Sequence, residues 1–508
     1  MTMEGASNVA EFLLQGKDAS RVALHMLDGE CTYGELERSA LRVARHLRRG
    51  PSVKGDRILL IADNGPFWVA SYLGILHAGR VAVPLPPGTP PDGLEFIRNS
   101  IAPTAAFVQA VVFARNATGL AGLDVVTDAP PRDWKSLAGP PAGERMLPSA
   151  SAGDLAALMF TSGSTGTPRG VMISHANIIA NTESIVAYLG LTGNDRILDV
   201  LPFHYCFGAS LLHTHLRVGG SVVVDSRFMY PEVVLDRMRE TRCTGFAGVP
   251  SHFEILLRSS TLRKRSFPDL RYVQQAGGCL ATRHISDLRQ ALPEARIFVM
   301  YGQTEATARL SYLPPEYLES KTGSVGKGIP GVRLRVLNER GLEVRPGEVG
   351  EIVATGANVA RGYWGAPQES AATFRNHWLY TGDLATVDAD GFLYIVDRAK
   401  DFLKCRGERV SCRQIEETLL SCGSLAEAAV VGVPDDVLGE AVKAVVVPRD
   451  PECGDVTGNL LQFCRKRLPP HLVPKKISVV ASLPRNGAGK VLKARLRSSY
   501  EMDTSYAE

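Results

Sequence analysis

The sequence predicts an α/β fold: a large N-terminal domain of layered α/β sheets with a small β-rich subdomain, followed by a small α+β C-terminal domain. Apolar runs of strand length alternate with helical patterns from residue 32 to residue 249, whereas 318–398 has short strands separated by tight turns. The segment after residue 400 mixes both patterns. A length of 508 residues suits two to four domains at roughly 150 residues each.

The N-terminal elements follow from capping and apolar periodicity. Thr32 and Glu35 have the form of a capping box, and apolar residues recur behind them at helical spacing, which predicts a helix over 32–49. A strand, an apolar helix and a strand follow, at 57–62, 66–78 and 81–85. The same alternation recurs later, at 91–109, 176–201 and 219–249. This order favours mostly parallel sheets covered by helices over a sandwich or a bundle.

The domain boundary is predicted near Lys400. Residues 1–399 form the first domain, and its β-rich subdomain covers about 318–398, where Asp390-Gly391 indicates a hairpin. Residues 400–508 form the second domain. Its predicted elements are a helix, two strands and a helix, at 412–421, 428–433, 441–447 and 457–468.

Composition argues against several classes of function. Lys and Arg total 57 against 53 Asp and Glu, and a net charge of +4 is too slight for the basic surface of a nucleic-acid-binding protein. The nine cysteines show no C-x-x-C pair and no metal-ligand spacing, which is typical of reduced thiols. The N-terminus lacks signal-peptide features, and no apolar run reaches the roughly 18 residues that span a bilayer. We therefore expect a cytoplasmic protein without a membrane span; its oligomeric state stays open.

The strongest local motif is the run MFTSGSTGTPRG at 159–170, between an apolar strand and a predicted helix. Its glycines let backbone N–H groups approach a phosphate, its hydroxyls add donors, and Arg169 adds positive charge. The run does not match the Walker pattern G-x-x-x-x-G-K-[ST], which disfavours a Walker-type nucleotide hydrolase. Taken alone, it is also compatible with an ordinary surface loop.

Further motifs follow in a fixed order: YGQTE at 301–305, GEIVATGANVARGYW at 350–364, YTGD at 380–383, DRAKDFLKCRGERVSCRQIE at 397–416 and NGAGK at 486–490. Together with MFTSGSTGTPRG, they resemble the adenylate-forming superfamily, which includes acyl-CoA synthetases and other AMP-dependent ligases, luciferases and the adenylation domains of nonribosomal peptide synthesis. The resemblance covers nearly the whole chain. Its specificity is high because separate motifs would all have to arise together by chance.

The resemblance implies a site for ATP and Mg²⁺. The phosphate-binding residues would be Thr161, Ser162, Gly163, Ser164, Thr165, Gly166 and Arg169, the last in place of the usual lysine. Tyr301 matches the residue that stacks on adenine, and Gly277 lies in the same nucleotide pocket. Thr304 would bind phosphate and Glu305 would bind the metal. Asp383 would bind the ribose hydroxyls, assisted by Arg398.

Three further residues are implied in the reaction cycle. Lys490 matches a lysine that neutralises charge between the attacking carboxylate and the α-phosphate, although alone it would be taken for a solvated lysine. Lys400 matches the hinge about which a mobile C-terminal domain rotates between two half-reactions. Gly407 belongs to the segment that lines the thiol tunnel.

The acyl pocket is expected beside the segment LPFHYCFG at 201–208. No carboxylate occurs there to pair with a substrate ammonium, which argues against an α-amino acid. His204 or Tyr205 would gate the pocket, although simple core packing explains these rings about equally well. The far wall would consist of small residues, which permit a bulky acyl group: Gly248, Ala276 and Gly302, with Gly277 and Val249 beside them.

The predicted function is therefore ATP-dependent activation of a non-α-amino carboxylic acid, of fatty or aryl type, to an acyl-adenylate, with transfer to a thiol. The acceptor is CoA or the phosphopantetheine of a carrier protein, because both end in the same thiol. Basic residues available to either acceptor, or simply solvated, are Arg465, Lys466, Arg467, Lys475 and Lys476. The alternatives are an amino-acid adenylation enzyme that loads a carrier protein, a non-catalytic nucleotide-binding scaffold and, more remotely, a luciferase-like oxygenase.

Overall fold

The computed structural model describes residues 7–139, 149–162, 168–398, 402–405, 408–435, 439–450, 455–485, 491–493 and 495–497. The chain forms two compact units. The first comprises Met1–Thr322, Gly326–Leu334 and Ala354–Leu379, and the second comprises Gly323–Val325, Arg335–Val353 and Tyr380–Glu508. Lys400 lies outside the described residues, so the boundary and hinge at that position stay predictions.

The strands are numbered in chain order: β1 (Val22–His25), β2 (Glu30–Thr32), β3 (Arg57–Ile61), β4 (Val81–Leu85), β5 (Ala105–Val108), β6 (Asp124–Thr127), β7 (Leu155–Ser162), β8 (Pro168–Ser174), β9 (Arg196–Asp199), β10 (Ser221–Val224), β11 (Gly245–Gly248), β12 (Tyr272–Gln275), β13 (Arg296–Tyr301), β14 (Ser311–Leu313), β15 (Lys327–Gly328), β16 (Val332–Leu337), β17 (Gly350–Gly356), β18 (Phe374–Arg375), β19 (Trp378–Val387), β20 (Leu393–Arg398), β21 (Phe402–Cys405), β22 (Glu408–Ser411), β23 (Leu425–Asp435), β24 (Gly439–Pro448) and β25 (Lys476–Val479).

The α-helices are α1 (Val9–Leu14), α2 (Tyr33–Arg49), α3 (Pro66–His77), α4 (Pro91–Ile101), α5 (Ala110–Asn116), α6 (His175–Leu189), α7 (Cys206–Val218), α8 (Pro231–Glu240), α9 (Pro250–Ser259), α10 (Thr282–Ala291), α11 (Pro367–Thr373), α12 (Cys412–Leu420) and α13 (Val456–Arg467). The predicted capping box is present at α2: the Glu35 backbone N–H donates to Thr32 Oγ1 at 3.2 Å, and the Thr32 N–H donates to Glu35 Oε2 at 2.9 Å. Such a cap stabilises a helix by about 1 kcal/mol.

Two mostly parallel sheets dominate the first unit. The nine-stranded sheet has the order β15-β14-β13-β12-β11-β9-β10-β1-β2, and its inner strands pair in parallel from β13 through β1. The six-stranded sheet has the order β6-β5-β3-β4-β7-β8, with an antiparallel β7/β8 pair at its edge. The predicted layered α/β architecture is confirmed. Strand β8 was not foreseen, because the sequence was interpreted as a loop leading directly into a helix.

One core joins the two sheets through the helices between them. Residues of α2, α3, α6 and α7 cluster with inward-facing residues of both sheets, such as Leu60 of β3 and Val222 of β10. Helix α3 has every residue from Phe67 to His77 buried, which explains why its sequence is apolar on all sides. The helix is therefore a central layer of the first unit.

The remaining two sheets are smaller. One contains β16-β17-β19-β18 with β20 on β19, and the predicted hairpin joins β19 to β20: Asp388 Oδ1 accepts the N–H groups of Asp390 and Phe392 at 3.0 and 2.8 Å. The other contains β22-β21-β24-β23 with β25 parallel to β24, and α12 and α13 pack on it through Ile415 and Leu460. No helix in the described part of the chain is long and apolar enough to cross a membrane.

Candidate active site

The small residues predicted for the acyl wall lie at the carboxyl ends of β11, β12 and β13. Gly248 ends β11, Ala276 and Gly277 follow β12, and Gly302 follows β13. Neighbouring parallel strands end at the same sheet edge, which is where α/β folds bind ligands. The structure therefore brings these residues together. Gly277 has φ +82°, and a Cβ there would lie 2.8 Å from Val249 Cγ1.

Gly302 is required by close backbone packing. A Cβ on it would lie 1.9 Å from the Ala308 carbonyl oxygen and 2.8 Å from the Arg309 Cα. Since both are backbone atoms, we expect Gly302→Ala to displace the turn at 303–308, abolish adenylation and lower the melting temperature by at least about 5 °C. Gly88→Ala is the matched control, because nothing lies within 4 Å of a Cβ there. Equal melting temperatures of the two variants in a thermal scan would contradict this expectation.

Tyr301 and Thr304 occupy the end of β13 and the turn after it. Tyr301 is the last residue of the strand and is buried, and Thr304 opens the turn Thr304–Ala306. The Thr304 hydroxyl lies 3.4 Å from Cys206 Sγ. Burial raises the pKa of the Cys206 thiol, so the sulfur is a protonated, weak hydrogen-bonding partner. The Thr304 hydroxyl is thus not committed to a strong hydrogen bond and suits a phosphate oxygen.

Glu305 is held in place by Tyr363, a residue that sequence reasoning did not assign to the site. The Tyr363 hydroxyl donates to Glu305 Oε1 at 2.8 Å, and the Ala360 N–H donates to the Glu305 carbonyl oxygen at 2.9 Å. Burial, together with the neighbouring Glu305, raises the pKa of Tyr363, so the phenol stays protonated and donates its proton. One carboxylate oxygen of Glu305 therefore has a fixed orientation.

The GANVARGYW segment supports the whole turn after β13. Asn358 Nδ2 donates to the carbonyl oxygens of Ala306 and Arg309 at 3.2 and 2.8 Å, and Thr307 Oγ1 donates to the Asn358 carbonyl oxygen at 2.7 Å. Asn177 of α6 in turn donates to the backbone on both sides of Asn358. The GANVARGYW segment therefore positions the YGQTE turn through amide hydrogen bonds. The sequence identified this segment as part of a motif but did not predict this role.

Arg169 is engaged by a residue outside the predicted set. Its Nε lies 2.6 Å from Glu369 Oε2, and its guanidinium is 5.5 Å from the centre of the Tyr363 ring. Arg169 lies on β8 opposite Thr161 of β7, so the two ends of the MFTSGSTGTPRG run pair as antiparallel strands. Glu369 is 47% exposed, and ion pairs of this kind contribute at most about 1 kcal/mol. Arg169 can therefore exchange Glu369 for a phosphate at small cost.

The segment between β7 and β8, residues 163–167, lies outside the described residues. It contains Gly163, Ser164, Thr165 and Gly166, and the Ser162 side chain is also not described. Lys400, Gly407 and Lys490 fall outside the described residues as well. The roles of all these residues stay predictions.

The loop that carries His204 and Tyr205 is anchored by two residues that sequence reasoning missed. Asn64 Nδ2 donates to Asp199 Oδ2 and to the Leu201 carbonyl oxygen at 2.9 and 2.8 Å. Asn64 Oδ1 accepts the Phe203 N–H at 2.8 Å, and Asp199 Oδ1 accepts the Leu201 N–H at 3.1 Å. Burial raises the pKa of Asp199 well above its usual range. The loop is thus tied to β9 and to the residues after β3.

His204 is a buried, neutral ring. It is 9% exposed, its ring centre lies 4.5 Å from that of Tyr205, and its Nε2 has no hydrogen-bond partner among the described residues. Burial lowers the pKa of His204 to about 4 and raises that of Tyr205. Both side chains are therefore uncharged near neutral pH and present an aromatic surface, as the gate prediction requires.

We expect acid to destabilise the protein through its buried histidines. Burial lowers the pKa of four of them to about 3 or 4: His175, His204, His213 and His215. The unfolded chain takes up these protons as pH falls below about 6.5, whereas the folded chain does not until about pH 4. The contribution of these neutral histidines to the free energy of unfolding is therefore present above about pH 6.5, and it is lost as pH falls from about 6.5 to about 4.

At pH 5 each such histidine removes about 2 kcal/mol of stability relative to neutral pH. His204→Gln eliminates one of these proton uptakes, so its unfolding free energy should fall less between pH 7.5 and pH 5 than that of the unmodified protein. Denaturant titrations at the two pH values provide the measurement. If the unfolding free energy of His204→Gln falls between pH 7.5 and pH 5 by as much as that of the unmodified protein, His204 is not a buried neutral imidazole.

The second unit contains the YTGD motif on β19. Asp383 is 3% exposed and lies opposite Arg398 of β20 in the sheet register. Thr381 Oγ1 donates to the Ile352 carbonyl oxygen at 2.7 Å, and the Gly382 N–H donates to Glu351 Oε1 at 2.9 Å. Neighbouring strand β17 therefore holds the motif, and Asp383 and Arg398 are adjacent along the β19/β20 ladder, as the shared ribose role requires.

The residues present fit a magnesium ion that arrives with its nucleotide. Within the described ranges no group of three or more His, Cys, Asp or Glu side chains could hold a metal ion. Glu305 supplies a single carboxylate oriented by Tyr363. Mg²⁺ commonly takes one or two protein carboxylates and completes its shell with water and substrate phosphates. A single fixed carboxylate beside Thr304, the threonine predicted to bind phosphate, is a suitable donor set.

Known proteins similar to this chain identify its family. A family model described as AMP-binding enzyme matches residues 15–364, and a model of the C-terminal domain of AMP-binding enzymes matches 414–490. A feruloyl-CoA synthase from Amycolatopsis is 34% identical, covering 92% of this chain and 94% of the relative. A long-chain-fatty-acid–CoA ligase from Salmonella typhimurium is 30% identical, covering 92% and 89%. The solved structure of ATP-bound MatB from Rhodopseudomonas palustris has a TM-score of 0.90 at 30% identity, covering 97% and 99%.

The matches confirm the resemblance that the motifs carry and the α/β fold class. The two curated relatives are CoA ligases, which confirms the predicted enzyme class, an AMP-forming acid–thiol ligase. The geometry at the end of β13, with the oriented carboxylate of Glu305 beside the hydroxyl of Thr304, agrees with that class. The chain belongs to the family of AMP-binding enzymes, within the adenylate-forming superfamily.

Proposed function

We propose that this enzyme activates a carboxylic acid lacking an α-ammonium group, forming an acyl-adenylate and then a CoA thioester. The observation that carries the proposal is the juxtaposition after β13: Glu305, fixed by Tyr363 at 2.8 Å, and Thr304 lie next to a wall of small residues. The residues predicted to bind the nucleotide and the small residues predicted to line the acyl pocket thus share one sheet edge. This is the arrangement that adenylation of an acid requires.

The reaction follows from the leaving groups. A carboxylate is a poor acyl donor because its leaving group is oxide. Attack by a carboxylate oxygen on the α-phosphorus of ATP breaks the bond to pyrophosphate, and the resulting mixed anhydride has AMP as a good leaving group. A thiol then attacks the acyl carbon, the bond to AMP breaks, and the thiol proton is lost. No protein nucleophile is required.

The residues of this chain bind and orient the reactants. Thr304 donates to a phosphate oxygen, Arg169 leaves Glu369 to meet a phosphate, and Lys490 places an ammonium beside the α-phosphate. Mg²⁺, held by Glu305, would neutralise phosphate charge. Tyr301 would stack on adenine, while Asp383 and Arg398 would bind the ribose.

An acid without an α-ammonium is favoured by the charges around the 201–208 loop. The segment itself contains no carboxylate. Asp199, at the start of the loop, has its pKa raised by burial and already accepts hydrogen bonds from Asn64 and the Leu201 N–H. A buried ammonium would therefore lack a charged partner here. An aryl acid suits the neutral rings of His204 and Tyr205, and a feruloyl-CoA synthase is among the relatives.

CoA is the favoured acceptor because the curated relatives act as CoA ligases. A carrier-protein phosphopantetheine is the second candidate, since it ends in the same thiol. Two of the basic residues available for either acceptor already have partners: Arg467 lies 4.0 Å from the Phe463 ring centre, and Lys475 lies 2.6 Å from Asp435. Lys466 is exposed and is available to the phosphates of CoA.

The two half-reactions need different loops of the C-terminal domain. Lys490 serves adenylation and Gly407 serves thioester formation, and we propose that rotation about Lys400 exchanges them. Proline at Lys400 would fix its φ and remove a backbone donor. Such a change would impair thiol transfer more than pyrophosphate exchange.

The proposed function is tested by ATP–pyrophosphate exchange with fatty, aryl, short aliphatic and α-amino acids, followed by thioester detection with CoA or a phosphopantetheinylated carrier protein. We expect exchange with acids that lack an α-ammonium and thioester formation with CoA. Faster exchange with an α-amino acid than with any other acid would favour the amino-acid adenylation alternative. Nucleotide binding without exchange for any acid would favour a non-catalytic scaffold.

A further inference from the structure

Arg309 is a buried cation in the candidate active site. It is 1% exposed and follows the YGQTE turn, between β13 and β14. Its main chain is fixed, because its carbonyl oxygen accepts from Asn358 at 2.8 Å and from Asn181 at 3.3 Å. A guanidinium keeps its positive charge in proteins. The structure therefore holds a full charge in the interior of the first unit.

No carboxylate compensates this charge within the described chain. None of the ion pairs among described side chains includes Arg309, and its Nη2 has no hydrogen-bond partner. The nearby acidic groups are neutral: burial raises the pKa of the Cys206 thiol, and burial raises the pKa of Tyr188 to about 12. Glu305 receives its hydrogen bond from Tyr363 instead. A buried charge without a partner is costly, so an anion is expected from elsewhere.

The groups near the Arg309 side chain are an aromatic ring, a thioether and the Tyr188 hydroxyl, and its Nη2 has no hydrogen-bond partner among the described residues. Its guanidinium lies 4.2 Å from the centre of the Phe207 ring, and its Nε lies 3.3 Å from Met300 Sδ. A ring face and a thioether stabilise a cation only in part. They also pack the side chain in one orientation, which suits recognition more than it suits a mobile surface charge.

Arg309 lies beside the small residues of the acyl wall. Its Cα would be 2.8 Å from a Cβ on Gly302, and the Phe207 ring beneath its guanidinium would be 4.0 Å from a Cβ on Gly277. Thr304, at the reacting end of the site, contacts Cys206, the neighbour of Phe207 in α7. An acyl chain that passes this wall therefore meets the guanidinium away from the phosphate-binding turn.

We propose that the acyl substrate is a dicarboxylic acid, in which one carboxylate is adenylated and the other pairs with Arg309. This inference rests on the proposed function and refines its substrate class. A planar guanidinium accepts a carboxylate through two parallel hydrogen bonds, which would satisfy Nη2 and neutralise the buried charge together. Acids without the second carboxylate would leave Arg309 unpaired and would bind less well.

The test compares each diacid with its own monomethyl ester, such as terephthalic acid and glutaric acid with their half-esters, in acid-dependent pyrophosphate exchange. The members of each pair differ in the second charge and in one methyl group. We expect kcat/KM for at least one diacid to exceed that of its half-ester by about a hundredfold or more, because a site built for a polar group rejects analogues that lack it. Half-esters that equal their diacids in every pair would overturn the inference.

Arg309→Met replaces the guanidinium by an unbranched apolar side chain that is two atoms shorter, and Arg309→Lys keeps the charge without the paired donors. We expect the diacid to half-ester ratio to fall by about a hundredfold in Arg309→Met and by less in Arg309→Lys. An equal loss for both members of a pair would assign Arg309 to the reacting carboxylate or to folding and would overturn the inference. If Arg309→Met does not fold, the ratio of kcat/KM between diacid and half-ester on the unmodified enzyme tests the inference by itself.

Thermal shift with the diacids gives a readout that does not require turnover. Stabilisation of the unmodified protein by a diacid, absent with its half-ester and in Arg309→Met, supports the inference, and no difference between diacid and half-ester counts against it. The proposed function and the role proposed for Arg309 can be contradicted independently of each other. Exchange with monocarboxylic acids but without a preference for diacids contradicts only the role of Arg309, whereas absence of exchange with every acid contradicts the proposed function.

Discussion

Lys490→Ala is expected to lower acid-dependent ATP–pyrophosphate exchange by at least about a hundredfold while leaving the fold intact. The reason is electrostatic. When a carboxylate attacks the α-phosphate, two negative groups approach one another, and an ammonium held beside them stabilises the transition state more than the separate reactants. The family match covers residues 414–490 and so ends on this lysine. Initial rates of exchange at saturating ATP provide the measurement.

Lys466→Ala is the matched control for Lys490→Ala. Lys466 is exposed on α13 in the same part of the chain, and exchange needs no CoA. We expect the control to retain full exchange. Circular dichroism of both variants checks folding. Exchange within a few-fold of the unmodified enzyme in Lys490→Ala would remove Lys490 from the adenylation step.

Glu305→Gln is expected to have an effect of similar size. Glutamine keeps an oxygen that accepts the Tyr363 hydroxyl, now 2.8 Å from Glu305 Oε1, so the local packing is preserved and only the charge is lost. Without that charge the site would lose the anionic ligand that we propose for Mg²⁺. We expect exchange to fall by at least about a hundredfold and the melting temperature to change by no more than about 2 °C. Exchange rates over a Mg²⁺ titration and a thermal scan measure the two effects.

Tyr363→Phe separates the charge of Glu305 from its orientation. This variant removes the hydroxyl that donates to Glu305 and keeps the carboxylate. We expect exchange to fall by about tenfold, less than in Glu305→Gln, because losing a hydrogen bond that orients a metal-binding carboxylate lowers metal affinity or activity by about ten- to a hundredfold while the charge is kept. If Tyr363→Phe were as inactive as Glu305→Gln, orientation and not charge would be the property that the site requires.

Local sequence patterns predicted most of the secondary structure. The helix over 32–49 is α2 (Tyr33–Arg49), and the strand at 81–85 is β4 (Val81–Leu85). Capping and apolar periodicity act within a few residues, so these elements are encoded where they form. Strand β8 was missed because its stability depends on pairing with β7, and the sequence between the two strands is typical of a loop.

Motif resemblance predicted the chemical groups of the site but not their supports. Thr304 and Glu305 were assigned from YGQTE, and both lie together after β13. Tyr363, which orients Glu305, is 58 positions away in the chain, and Asn64, which anchors the loop before His204, is 135 positions from its partner Asp199. Such contacts between distant residues depend on the packing of whole elements, which no local pattern specifies.

The sequence by itself determined the fold class, most of the order of the elements and the family, because apolar periodicity and motif composition are properties of short segments. Only the tertiary structure decided which of the charged residues are buried and which have partners. Arg169 has Glu369 as a partner, whereas Arg309 has no carboxylate partner among the described residues. Both are single arginines in apolar or small-residue surroundings. The physical reason is that the cost of a charge is set by its desolvation and its neighbours, and both depend on which distant segments pack around it.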